Sequence, residues 1–288
     1  MTGESITADF QVQIGSLLLG PGTPYEITKA VGFLDLPAVR ADDPERPRQH
    51  GTFTGPDYTG PRVFELELDI VATSSTTFTD AVTAFLAVTV PQPGTVDLAW
   101  RLPGRGVLSS AVKVRKSTIG VDRGYQLGIA ETVALQLLAP DPVAYAGVLT
   151  AVTGLPFWSA GLVWPLAFPL DFGAAGTLGR VTLTNPGTAD TAPVLAVTGP
   201  LDVGFLVTVV ETGQTLRFEQ PVAGTSTVTL DCGTGHAVLD GGAYRDDALT
   251  VADWFVVPAG TSRTVQLATL GAYDAAAAMS ATWAPAYW

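Results

Sequence analysis

Basic charge is scarce in this sequence. Lys29, Lys113 and Lys116 are its only lysines, and with twelve arginines they face 27 acidic residues. The net charge is −12 and the isoelectric point near 4.4. Nucleic-acid binding needs clustered Lys and Arg, and anionic membrane surfaces ask for the same, so both classes of partner are disfavoured. Cysteine occurs once, as Cys232. That excludes an intramolecular disulfide framework and a C-x-x-C metal site, and it suggests a protein not matured for an oxidising compartment. Histidine occurs twice, at His50 and His236, too few for an ordinary zinc site without carboxylates. No G-x-S-x-G elbow, P-loop or dinucleotide fingerprint is present. Long apolar runs are missing too: none reaches about 18 residues without Pro, Gly or charge, so no membrane-spanning helix is expected. The amino terminus, MTGESITADF, has neither a basic segment nor a long apolar one, and no secretory signal is expected from it. Asparagine appears once, as Asn185, which with the shortage of lysine fits a GC-rich genome.

What is abundant is turn chemistry and apolar material. The 288 residues include 31 Gly and 21 Pro, and 47% are hydrophobic against 15% charged. Many turns, few long helices and ample core follow from this, in two domains or one large β domain. Residues 61–73, PRVFELELDIVAT, alternate Phe64, Leu66, Leu68 and Ile70 with Glu65, Glu67 and Asp69, the period of a half-buried strand. Before it, RADDPERPRQHGTFTGPDYTG is charged, rich in Pro and Gly and aperiodic, which reads as a long exposed loop or hairpin arm. After it, Phe78, Val82, Phe85 and Leu86 share one face of a helix expected over about 76–88, with Thr77 and Asp80 resembling an N-terminal cap. Strands TVDLAWRL, AVKVRKSTI and ETVALQLLA follow, and a Gly/Pro/Ala-rich stretch at 146–160 is the best candidate boundary.

Beyond it the chain reads as nine short strands: GRVTLTN, PVLAVTG, FLVTVVE, QTLRFEQ, STVTLDC, HAVLDGG, DWFVVPAG, RTVQLATL and AMSATW. Gly-containing turns separate them, the pattern of a β-sandwich or jelly roll. The segment GLVWPLAFPLDFG at 161–173 places Leu162, Trp164, Leu166, Phe168, Leu170 and Phe172 at alternate positions, with Pro165 and Pro169 between. It is expected to open the second domain as an edge strand, its apolar face in the core and its prolines blocking strand addition.

Candidate chemistry is sparse. Cys232 and His236 in DCGTGH form a Cys/His pair on paper, against the plainer reading of a Gly-Thr-Gly turn between a core cysteine and a surface histidine. Asp231, Asp240, Asp246 and Asp247 are the carboxylates a glycosidase would draw on, but all lie in or beside turns, where Asp caps backbone N–H groups. Trp158, Trp164, Trp254 and Trp283 would form a sugar platform only if exposed, and tryptophan in sandwiches is more often a core anchor.

In order and spacing, HGTFTGPDYTGPRVFELELDI, the following helix, LLAPDPVAY, GLVWPLAFPLDFG, VTLTNPGTADTAPVLAVTGPL, ETGQTLRFEQPV, TVTLDCGTGHAVLDGG and WFVVPAGTSRTVQL together resemble the distal tail protein family of long-tailed, non-contractile (siphovirus) bacteriophages. The resemblance implies a mainly β protein. Residues 1–150 would be a ring-forming (belt) domain with one helix, and 151–288 a galectin-like, carbohydrate-binding-module-like β-sandwich. It implies a homohexameric ring joining the tail tube to the tail tip or baseplate, with an axial channel through which DNA passes without specific binding. It also implies a virion structural protein, not an enzyme, that uses no cofactor or metal, does not enter a membrane, and is assembled in the host cytoplasm. VTLTNPGTAD lacks the His, Asn and Arg cluster of a galectin sugar site, so sugar binding does not follow from that fold. A carbohydrate-binding or host-adhesion module of the tail tip is the alternative, and a hydrolase a distant third. Within the family reading, the arm at 41–62, with Arg46, Arg48, His50, Tyr58 and Arg62, is the expected inter-subunit element. Glu65, Glu67 and Asp69 either line the channel or form a solvated outer face.

Overall fold

The computed structural model describes residues 3–72, 74–157 and 176–288. The chain is mainly β with one α-helix and divides into two compact units, Met1–Gly147 with Tyr287–Trp288, and Val148–Ala286. GLVWPLAFPLDFG, with Trp164, and Trp158 lie outside the described residues.

The first unit contains β1 (Val12–Ile14), β2 (Leu17–Leu19), β3 (Tyr25–Val31), β4 (Val39–Ala41), β5 (Asp57–Thr59), β6 (Arg62–Val71), α1 (Ser75–Thr89), β7 (Val96–Arg101), β8 (Val107–Thr118), β9 (Ile129–Ala139) and β10 (Ala144–Tyr145). Its sheet runs β2-β1-β7-β8-β9-β6-β3. All these neighbours are antiparallel. On β6 the alternation in the sequence becomes an alternation in space: Phe64, Leu66, Leu68 and Ile70 are buried and Glu65 is exposed. Each of those four side chains contributes roughly 1.5–3 kcal/mol by leaving water. Both halves of the sheet and α1 feed one core, in which Phe33, Phe64 and Trp100 pack with centroids 4.9–5.3 Å apart.

The helix falls where its periodicity places it, with two differences. Its cap is Ser74, whose hydroxyl accepts from Thr77 N while the Thr77 side chain accepts from Ser74 N, a capping box with Thr in the place usual for Glu. Asp80 lies one turn further on. Leu86 is exposed, so the buried stripe is Phe78, Ala81, Val82 and Phe85, with Tyr25 Oη donating to Ala81 O at 2.8 Å.

The second unit contains β11 (Leu149–Gly154), β12 (Arg180–Asn185), β13 (Val194–Thr198), β14 (Phe205–Val209), β15 (Thr215–Phe218), β16 (Thr227–Asp231), β17 (His236–Leu239), β18 (Ala243–Tyr244), β19 (Leu249–Ala252), β20 (Thr261–Thr269) and β21 (Ala278–Trp283). One sheet is ordered β11-β21-β13-β16-β17-β18 and the other β12-β20-β14-β15-β19, and alternate residues of both enter a single core. The division between the two units falls after Gly147, inside the stretch 146–160, and Leu149–Gly154 of that stretch form β11 and pair with β21. DWFVVPAG is not a strand. Its neighbour Leu249–Ala252 pairs with β15, and Val257 makes only an isolated bridge to Thr191. Proline at 258 and the adjacent Gly turn stop the ladder there.

Asn185 closes the second unit in a way its scarcity did not announce. Fully buried, it donates from Nδ2 to Ala189 O and Val257 O at 2.8 and 3.0 Å. Its Oδ1 accepts from Gly187 N and Ala286 N. One side chain thus ties three loops to the end of β12.

Candidate functional site

The segment between β3 and β6 is a hairpin arm. Its base is β4 paired with β5, and Gly60 N donating to Ala38 O at 2.7 Å extends that pairing by one more step. Further out, Phe53 N donates to Pro44 O and Arg46 N to Gly51 O, closing a tip that carries Arg46, Arg48 and His50. Arg46 stands over the Phe53 ring at 5.1 Å. Gly55 receives its place from crowding, since a Cβ there would overlap the Asp42 carbonyl. No residue of 42–58 is buried, and Phe53 and Tyr58 are exposed aromatics. The arm therefore adds nothing to the core of its own unit.

Arg62 is not part of the arm. It is the first residue of β6, paired with Ala139, and only 2% exposed. Its guanidinium carbon lies 6.0 Å from the Phe64 ring centroid, and Nε and Nη2 have no hydrogen-bond partner among the described residues. Burial lowers its pKa, while the charges of Asp35 and Asp141 act the other way. Alternation explains the placement: Arg62 shares the inward face with Phe64, two positions on.

Glu65, Glu67 and Asp69 project from the face of β6 opposite the core, and each is held by a neighbouring strand. Glu65 Oε1 accepts from Gln136 Nε2 at 2.9 Å, Glu67 Oε1 pairs with Lys29 Nζ at 3.0 Å, and Asp69 Oδ1 accepts from Thr132 N at 2.9 Å. Thr132 sits at φ 59, where β9 carries an extra residue opposite β6. Glu26 lies across from Asp69, so the β6–β3 side of this outer face sets Glu26, Glu65, Glu67 and Asp69 against a single cation, Lys29. The β8 side carries Lys113, Arg115 and Lys116. Sequence reading found the acidic row but missed this division, because the register that sets basic β8 two strands from acidic β6 is a long-range fact.

The groups that catalysis would need are placed for structure. Cys232 is buried and free, and burial pushes its thiol up to about 12. His236 Nδ1 lies 2.8 Å from Asp246 Oδ2, and Asp246 Oδ1 accepts from Ala237 N, bonds that hold its carboxyl below the usual range. Asp231 caps Gly233 N and Thr234 N, and Asp240 caps Thr227 N. Trp283 is buried with Nε1 donating to Thr184 O, and Trp254 packs against the core cluster. Among the described residues no group of three or more His, Cys, Asp or Glu could hold a metal ion, and no helix is long and apolar enough to cross a membrane.

No family model and no curated protein matches the chain in sequence. Its fold is nonetheless a known one, that of a bacteriophage distal tail protein. The Dit protein of phage SPP1, described as a paradigm of the hub adsorption apparatus in phages infecting Gram-positive hosts, matches over 96% of this chain and 99% of its own, with a TM-score of 0.68 at 10% identity. The phage P2 baseplate in its activated conformation with Ca matches over 94% and 97%, with a TM-score of 0.50 at 9% identity, and the Sr form gives the same figures.

Proposed function

We propose that this chain is a structural protein of a phage tail, the distal hub that links the tail tube to the tail tip or baseplate. The single observation that carries the reading is coverage: one fold accounts for 96% of this chain and 99% of the SPP1 Dit chain. A shared domain alone would not do so. In this reading the protein is a virion component assembled in the host cytoplasm, it forms a homohexameric ring through residues 1–150, and residues 151–288 form the outer, galectin-like sandwich. The arm, bearing Arg46, Arg48, His50 and Tyr58, reaches a neighbouring subunit. It is long, charged and free of core residues, which suits an element whose partner lies on another copy.

Glu65, Glu67 and Asp69 face the axial channel. A net charge of −12 would let DNA pass without sticking, since attraction would add salt-dependent friction. The chain acts by assembly rather than catalysis: Cys232 is buried and the turn aspartates are committed to backbone N–H groups. Electron microscopy of the purified protein, alone and with tail-tube and tail-tip proteins, tests the reading. Rings capping the tube end are expected. A monomer that ignores both partners would overturn it.

A further inference from the structure

We infer that Arg62 is the residue that aims the arm: its buried guanidinium, through ordered water, ties Asp35 at the arm's entry to Asp141 in the turn after β9. The inference concerns how the arm is held, and it stands whether or not the arm reaches a neighbouring subunit.

The arm leaves the sheet at the end of β3 and returns to it at the start of β6. Over 42–58 it has no buried residue, so its direction is set where it begins and where it ends. At the entry, Gly32 has φ +90 and crosses β6 so closely that a Cβ there would overlap the Val63 carbonyl. Its N–H donates to Asp35 Oδ2 at 2.8 Å, which closes the turn leading toward β4. At the exit, only Gly60 and Pro61 separate β5 from Arg62. Both ends meet in one cluster. The rings of Phe33 and Phe64 lie 4.9 Å apart, and the Arg62 guanidinium carbon is 6.0 Å from the Phe64 centroid.

A guanidinium stays charged in proteins and carries five N–H donors. At 2% exposure such a group is costly unless its charge and its donors are both answered. Nε and Nη2 meet no acceptor among the described residues. Burial lowers the pKa of Arg62, and the charges that oppose this are those of Asp35 and Asp141. Both carboxylates are exposed and already hold backbone or side-chain donors. Asp35 takes Gly32 N, while Asp141 Oδ1 accepts from Val143 N at 3.0 Å and Oδ2 from Tyr145 Oη at 2.8 Å. Each carboxylate oxygen accepts two bonds, so both groups keep room for water. Neither reaches Nε or Nη2 directly, and a buried water, which makes about three hydrogen bonds, spans the gap.

Stability does not explain the charge. An apolar side chain of similar length would pack beside Phe64 and avoid the desolvation cost. What the guanidinium supplies is direction, because a satisfied polar network fixes one arrangement where apolar packing tolerates several. One of its carboxylates stands on the arm's entry, the other on a turn that follows β9, and Arg62 itself stands at the exit. Three points hold the arm against β6 and β9.

Arg62→Met and Arg62→Lys in the full chain test this, with Cys232→Ala removing the native thiol and Gln49→Cys carrying a spin label at the arm tip. Arg62→Met should keep the thermal transition of the parent, since it removes a buried charge without emptying the site. Its label should become more mobile, and the Gly32 amide should exchange about tenfold faster, as in a segment that opens locally, while the amides of β9 keep their protection. Arg62→Lys keeps the charge without the fork and should fall between the two. A label and a Gly32 amide as ordered in Arg62→Met as in the parent would reduce Arg62 to core filling and overturn the assignment. Faster exchange throughout β6 and β9 would overturn it too, by making the effect a general loss of stability. Asp35→Asn is the second variant, because an exposed side chain can be changed without disturbing the core. An arm tip no more mobile in it than in the parent also overturns the clamp.

Discussion

Lys29 Nζ and Glu67 Oε1 meet at 3.0 Å directly across the β3–β6 pair, and both side chains are about half exposed. Such a pair is worth about 0–1 kcal/mol, so Glu67→Gln should leave the melting temperature nearly unchanged. Asp69 differs, because its carboxylate anchors Thr132 N at the positive-φ bulge of β9. A particle carrying Glu65→Lys and Glu67→Lys with Asp69 retained should fold normally and eject DNA more slowly, most visibly at low salt. Unchanged ejection kinetics would make these residues a solvated outer face.

Replacing residues 42–56 of the arm with Asn-Gly should give a soluble protein with an unaltered thermal transition. The replaced segment holds no buried residue, and the β4–β5 base would still be joined by a favourable two-residue turn. The same variant should fail to build tail tips. Infectious particles from it would remove the arm from the assembly interface.

Trp283→Ala should destabilise the second unit by about 3–5 kcal/mol, the usual range for a large aromatic lost from a core. Trp283→Phe should cost less, leaving mainly the unpaired Thr184 carbonyl to account for. Denaturant unfolding of the pair measures both. Equal, small effects would mean that the ring is not packed as described.

Cys232 should resist alkylation near pH 8 in the native protein and react on unfolding. Its thiol is raised by burial from an ordinary 9.0 to about 12. The sign follows from the neutral form being the one favoured in the fold: the contribution to stability is complete below pH 9 and is lost as the pH rises toward 12. Tyr145, raised from 10.0 to about 12 by burial and by Asp141, adds to the same alkaline loss. Cys232→Ala should preserve infectivity. A folded but non-infectious variant would reopen the question of its chemistry.

Local periodicity carried most of the fold. β6 and α1 are legible because one buried face repeats at period two in the first and near 3.6 in the second. What the sequence hid was set by distant partners. Arg62 looks like one more arginine of a charged arm, yet strand alternation turns it inward beside Phe64. Short strands such as β11 and β19 have too few residues to show a period, and only their pairing with β21 and β15 defines them. The arm and the acidic row could be read locally, but the place of basic β8 two strands from acidic β6 could not, because it depends on long-range pairing.

The burial of Asn185 also bears on how the protein ages. Asparagine is the residue most prone to spontaneous deamidation, through attack of the following backbone nitrogen on the side-chain amide. In this chain the following residue is Pro186, which has no N–H to begin that reaction. The other reaction open to an asparagine, attack by Nδ2 on its own backbone carbonyl with cleavage of the Asn185–Pro186 bond, would require the amide to let go of both Ala189 O and Val257 O inside the core. The only asparagine of the chain is therefore protected from both reactions while the second unit stays folded, so chemical ageing at this residue should follow unfolding rather than precede it.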